Sequence, residues 1–496
     1  GGSISLAGTT LNGGTNGIRS AVVITPPAAA STVTLGTVNA RALAFAGDTA
    51  ATGVTLGTAT LVDDFTLTLT AGNFAGRVTV TNGDILVAAN AGSVASTRLA
   101  ASQAVTASGL SLDIDEARAG FGNAGSNFDA TLTATNNFTA ETVTATGDIR
   151  LSSTGGDLAT SVALSAGDDI VLGAANGSIT LGNSLTAGTA DAQGDLTATA
   201  ESLALGTSTL SATGLVSLTS TAGSLAGGAG LVITSNSGNA VDAGVVRALS
   251  LSATGGNISL AGTTLNGGSN GTTSAVLVTP PAAASTVTLG TVNARALAFD
   301  GNTAATDVTL GTATLVDDFS LTLTAGDFAG AITSDGSITL TADTGAINAG
   351  ALDAGGSISL TATVGNLDAT TLTAGADISL TATAGDLGIT GALGAGDDVA
   401  LSAANGTITL GGNVTAGTGN AQGDLTATAA SLVLGNDNLA ATGLVSLTAT
   451  AGSLAGSSGL VITSNSGNAV DAGVVRALNL SATGGSISLA GTTLNG

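Results

Sequence analysis

The sequence predicts an all-β chain folded as a parallel β-solenoid, with about 20 residues and three short strands per coil. The first observation is a short period. Between residues 337 and 400 the segments GSITLTA, GSISLTA, ADISLTA and DDVALSA place Ile338, Ile358, Ile378 and Val399 twenty or twenty-one residues apart. Ile347, Leu367 and Leu387 keep the same spacing, and Leu352 and Leu372 supply a third series. VTLGT at 33–37 returns at 54–58, and Leu196 is followed by Val216. A unit of this length, with three alternating segments and Gly, Asn or Asp between them, is the mark of stacked coils.

The second observation is a long repeat laid over the short one. TPPAAASTVTLGTVNARALAF at 25–45 recurs letter for letter at 279–299, and GLVITSNSGNAVDAGVVRAL at 230–249 recurs at 459–478. Residues 1–254 form one long repeat of a continuous solenoid, 255–483 a second that is 25 residues shorter, and 484–496 the start of another. GGSISLAGTTLNG opens the chain and closes it, so the sequence reads as a window on a longer repetitive fibre. The length difference falls between the FAG at 74–76 (again at 328–330) and the AGDD at 166–169 (again at 395–398). A whole-coil change preserves the stacked rows. The first copy is therefore expected to hold one more coil there, plus an irregular loop near 113–128, around DIDEAR and Phe121. In all, 22–25 coils are expected, stacked to about 110–120 Å at roughly 4.8 Å per coil.

Composition is the third observation. The chain has 75 Gly and 43% hydrophobic residues, with no Trp, Tyr, His, Cys or Met, and all nine of its basic residues are arginine. Alternation puts Ile358 and Leu360 on one face and Ser357, Ser359 and Thr361 on the other. A single coil has too little apolar surface to fold alone. Stacking buries Ile on Ile and Leu on Leu, each contributing about 1.5–3 kcal/mol before entropy. Gly, Thr, Ser and Val dominate and no 3.6-residue period appears, which excludes a helical reading.

Between strands, Asn176-Gly177 and Asn405-Gly406 read as turns that need positive φ or tight bends. Pro26, Pro27, Pro280 and Pro281 occupy matching places in the two copies and mark a loop leaving the stack, because proline cannot donate to a ladder. Six of the nine phenylalanines form matched pairs across the copies: Phe45 with Phe299, Phe65 with Phe319, and Phe74 with Phe328. They are expected to fill the core.

Segments such as GDLTATA (194–200 and 423–429), GSISLTATVG (356–365) and ADISLTATAGDL (376–387) resemble the filamentous-haemagglutinin-like adhesins exported by two-partner secretion. The resemblance is a texture of repeats covering nearly the whole chain. It implies a right-handed parallel β-helix, export through an outer-membrane barrel, and a place in a fibre or adhesin at the cell surface. Autotransporter passengers share this texture.

With no His, Cys or Lys, the chain lacks the groups for Ser-His-Asp triads, thiolate nucleophiles, zinc sites and Schiff bases. Two carboxylates suffice for glycoside cleavage, and Asp63-Asp64, Asp168-Asp169, Asp317-Asp318 and Asp397-Asp398 each stand at the start of a strand. Sugar-cleaving β-helices line a groove with aromatic platforms, however, and here the only aromatics are the nine phenylalanines, so the reading is non-enzymatic. The same eight aspartates are candidate calcium ligands, although the nonapeptide of calcium rolls is absent; the plainer reading makes them solvated turn residues. Arg41 precedes Asp63 by about one coil, and Arg295 precedes Asp317 likewise. Thr-x-Thr strings such as TLTLT (66–70) raise ice binding. The free mixing of Thr with Ser, Ala and Asp speaks against it, and Thr is a good strand-surface residue in any case.

A net charge of −24 sets the chain against nucleic acid, and no apolar run is long enough for a membrane span. The lack of cysteine fits an exported protein. The functional expectation is a stalk segment of an extracellular or cell-surface filament. Its partners are further copies of itself, end to end or in lateral bundles. The alternative is a segment that itself recognises a glycan or receptor.

Overall fold

The computed structural model describes every residue except 1, 18–19, 27–30, 47–51, 124–125, 183, 189–192, 236–248, 269–274, 282–284, 301–305, 418–421 and 465–477. The fold is an all-β parallel solenoid of about 19 turns with a repeat near 21 residues and, among the described residues, no helix. The chain divides into two compact units, Gly1–Gly256 and Asn257–Gly496.

Each coil contributes to three sheets. In the coil that begins at Ile358, strand Ile358–Ala362 belongs to the first sheet. Strand Leu367–Ala374 bends and serves the second and third. The periodic residues read from sequence become vertical columns. Ile338, Ile358, Ile378 and Val399 pair in register on the first sheet. Ile347, Leu367 and Leu387 pair on the second, and Leu352 and Leu372 on the third. All of these side chains are at most 1% exposed. In the first unit, Leu196 stands over Val216, and Val33 over Val54.

The turn count is lower than expected because some coils are long. Among the long steps on the first sheet are Ile170 to Leu196 and Val216 to Leu249. The second unit repeats both, at Val399 to Leu425 and Val445 to Leu478. A longer step lengthens its coil without adding a rung.

The same counting explains the difference between the long repeats. On the first sheet five ladder steps separate Phe65 from Ile170, through Ile85, Val105, Ala130 and Ile149. Four separate Phe319 from Val399, through Ile338, Ile358 and Ile378. One whole extra coil, together with the lengthened step from Val105 to Ala130, accounts for the difference. None of the described residues of segment 119–129 lies in a strand, whereas DIDEAR is regular. Leu112–Arg118 is a regular strand with Leu112, Ile114 and Ala117 buried.

Phe65, Phe74, Phe319 and Phe328 are at most 1% exposed and fill the core as expected. Phe45 and Phe299 do not: both are half-buried at the ends of strands Ala42–Phe45 and Ala296–Phe299. Alternation puts Phe45 on the face of buried Leu43 and Phe299 on that of Leu297, but each is the last residue of its strand. Pro26, Pro280 and Pro281 are buried, and Pro27 lies outside the described residues.

Gly177 and Gly406 sit where coils turn, yet neither is in the left-handed region. Close approach explains them instead. A Cβ on Gly406 would strike the carbonyl oxygen of Gly385, one on Gly385 that of Gly365, and one on Gly365 that of Gly345. Glycine recurs coil after coil because the next coil's backbone fills the space a side chain would need.

Several buried positions carry a hydroxyl, and at one of them it is unsatisfied. Thr160 is 4% exposed and its Oγ1 has no hydrogen-bond partner. Thr160→Val is expected to raise stability by about 1–2 kcal/mol, because an unpaired buried hydroxyl is removed. Ile358→Ala should lower it by about 2–5 kcal/mol by opening a cavity. Denaturant midpoints of the two variants check both signs.

Candidate functional site

Every Asp pair singled out in the sequence lies immediately before a first-sheet strand: Phe65–Leu69, Ile170–Leu181, Phe319–Leu323 or Val399–Leu410. At this corner the backbone leaves one sheet and enters the next, so an N–H falls outside the regular ladder. A side-chain oxygen of the preceding coil accepts it. Asp64 Oδ1 accepts from Asp84 N at 2.9 Å, and Asp84 Oδ1 from Ala104 N at 2.8 Å. Asp148, Asp169 and Asp195 continue the pattern, each accepting from the next coil at 2.7–3.1 Å.

The second unit repeats the arrangement from Asp318 through Ser337, Ser357, Asp377 and Asp398 to Asp424, at 2.7–3.3 Å. The second member of every pair is therefore a rung that ties one coil to the next, and not simply a solvated turn residue. Hydrogen bonds to a carboxylate are the stronger kind. The signal was present in the sequence at several coils as a Gly/Ala–Asp/Ser–Ile triplet: GDI at 83–85 and 147–149, GSI at 336–338 and 356–358, and ADI at 376–378.

The first members differ. Asp63 Oδ2 pairs with Arg41 Nε at 2.7 Å, and Asp317 Oδ1 with Arg295 Nη2 at 2.7 Å, one coil apart as the spacing implied. Asp168 and Asp397 instead face other carboxylates. Asp148, Asp168 and Asp169 bring oxygens within 4.8 Å of one another, as do Asp377, Asp397 and Asp398. Partial burial, then repulsion from Asp169 and Asp148, pushes the Asp168 carboxyl above its ordinary value. Desolvation, then Asp398, Asp377 and Asp424, does the same to Asp397.

Of the eight calcium candidates, the structure thus gathers four into two triads and leaves Asp63, Asp64, Asp317 and Asp318 outside them among the described residues. Three carboxylates would supply only part of the six to eight oxygens that calcium takes. In the first triad Asp148 Oδ2 is already held by Arg150 Nη2 at 2.6 Å.

A feature the sequence reading missed lies beside segment 119–129. Arg98 and Arg118 place their guanidinium carbons 5.3 and 5.1 Å from the centre of the Phe121 ring. Both reach Glu116, at 3.5 and 3.7 Å. Arg77 stands in register with Arg98 one coil away. The matching residues of the second unit are Ala331 and Ala351, so the fold does not require the cluster. Its arginines recur at intervals of 21 and 20 residues, about one coil, and that spacing was the signal in the sequence that could have found them.

Shallow cavities occur both beside this cluster and away from it. One of about 300 Å³ borders Ser96, Asp113 and Asp115, and one of about 360 Å³ borders Asn266, Asn293, Thr314 and Asp335. No aromatic ring lines either. Comparison of the chain with family models, curated proteins and solved structures gives no match.

The Asp corner makes opposite predictions for adjacent residues. The pKa of Asp397 is raised on folding, so its ionised form costs stability above that pKa, and the cost disappears as pH falls through it. Asp397→Asn should raise the melting temperature at neutral pH, with the gain shrinking on acidification. Asp398→Ala should lower stability by about 1 kcal/mol, since Asp424 N loses its acceptor. Asp157, held below its ordinary value by hydrogen bonds from the backbone and side chain of Ser178, behaves inversely. Its contribution is lost as pH falls through its depressed pKa. Melting curves across pH for the variants test these signs.

Proposed function

We propose that the chain is a stalk segment of an extracellular, cell-surface bacterial fibre of the filamentous-haemagglutinin-like kind. It would serve adhesion or matrix formation through length and multivalency rather than catalysis. The observation that carries this reading is the stacking of core columns through the described coils of each unit, while many outward positions differ between equivalent coils. Such a construction specifies extension and leaves the surface free.

The Arg77, Arg98, Arg118 and Phe121 cluster favours a second reading, a segment that recognises a glycan or receptor. It is a concentration of arginine in an acidic chain and is specific to one repeat. One deletion and one double substitution separate the readings. Removing residues 255–483 joins matching sequence on both sides. In the stalk reading it shortens the surface fibre by about 4.8 Å per coil removed and leaves adhesion per fibre intact. Unchanged fibre length on electron microscopy would sink that reading. Loss of adhesion in Arg77→Ala/Arg118→Ala, with length unchanged, would establish the second.

A further inference from the structure

In the second unit the first sheet presents one uniform outer face. On consecutive coils Thr341, Thr361, Thr381, Ser402, Thr428 and Thr448 occupy a single column in register. The column two residues earlier on the same strands is hydroxyl at every rung except Ala400. From Phe319–Leu323 to Leu478–Ala482, eight strands carry no charged residue at an outward position. The mixing of Thr with Asp along the sequence therefore resolves in space: the acids move to the corners, and the face itself is neutral. The corresponding face of the first unit is interrupted by Leu86, Arg150 and Val171. Other faces of the second unit carry Asp353, Asp368 and Val433.

We infer that this hydroxyl face is a lateral interface between two copies of the chain. The inference rests on the filament reading and names the surface through which filaments would bundle. Three physical arguments select a second copy as the occupant. In a chain of net charge −24, most surfaces of two copies repel, and this face can meet its own kind without bringing like charges into direct opposition. Both partners have the same coil spacing, about 4.8 Å, so ridges of Thr and Ser interdigitate along the whole contact, as in packed sheets of identical strands. Eight strands of five residues make a face on the order of 600 Å², and two such faces bury on the order of 1,200 Å², within the range of a specific interface. Asp318, Asp377 and Asp398 rim the face at the strand starts. Their repulsion sets a salt dependence: association strengthens as the screening length falls from about 10 Å at 0.1 M to about 3 Å at 1 M.

The absence of native cysteine makes single-cysteine variants of the full chain clean reporters. Thr381→Cys lies mid-face, and Thr371→Cys is an exposed control off that face. With a short bis-maleimide, Thr381→Cys should cross-link about tenfold faster than Thr371→Cys, because docking raises the local thiol concentration, and faster still at high salt. Thr381→Glu should abolish concentration-dependent sedimentation while leaving the circular dichroism spectrum unchanged. Equal cross-linking of the two cysteine variants would overturn the inference while leaving end-to-end association, and with it the stalk reading, standing. Cross-linking that fades with salt would overturn it in favour of ionic contacts. A monomer that shapes ice, and ceases to do so as Thr381→Glu, would overturn it in favour of ordered water on the same face.

Discussion

The parallel backbone ladder between successive coils governs almost everything else in this protein. It holds each strand about 4.8 Å from the next and places residues of equal phase directly over one another. A column is then the natural unit of design, because whatever occupies a position meets its counterpart on the coils on either side. Aliphatic columns give a continuous core, of which Ile338, Ile358, Ile378 and Val399 are one line. Glycine columns permit corners where backbone meets backbone, as at Gly345, Gly365, Gly385 and Gly406.

Where the ladder breaks at a corner, side chains complete it. The Asp and Ser rungs from Asp318 to Asp424 accept N–H groups that the strands leave over. This use of carboxylates has an electrostatic consequence, since stacked acids repel along the axis. The arginines at positions 41, 150 and 295 relieve that repulsion locally. Asp168 and Asp397 lie where carboxylates crowd one another and the relief is incomplete. The corner that first suggested a metal site is thus also a structural seam under strain from its own charge.

Most outward positions are under much weaker constraint. Arg77 and Arg98 in one unit replace Ala331 and Ala351 in the other without altering the neighbouring core, where Val78 and Leu99 match Ile332 and Leu352. A solenoid can therefore carry different surface chemistry on equivalent coils. The gain of a whole coil in the first unit follows the same logic, for it leaves every neighbouring register intact.

The sequence by itself determined the solenoid, the columns and the extra coil, because strand alternation and a short regular period are one-dimensional records of the stacking. Asp63 and Asp317 were legible as partners of Arg41 and Arg295 for the same reason, each pair being one coil apart. Only the tertiary structure decided what depends on phase and on neighbours across coils. Phe45 lies half out of the core at the end of its strand although it shares the face of buried Leu43, and the apolar run ALAF does not reveal where that strand ends. Asp64, Asp169, Asp318 and Asp398 serve as rungs because the corner N–H of the next coil points at them, a relation between residues a full coil apart. The approach of the Phe121 ring to Arg98 and Arg118 and the neutral hydroxyl face likewise arise from lateral juxtaposition, which the order of residues along the chain does not display.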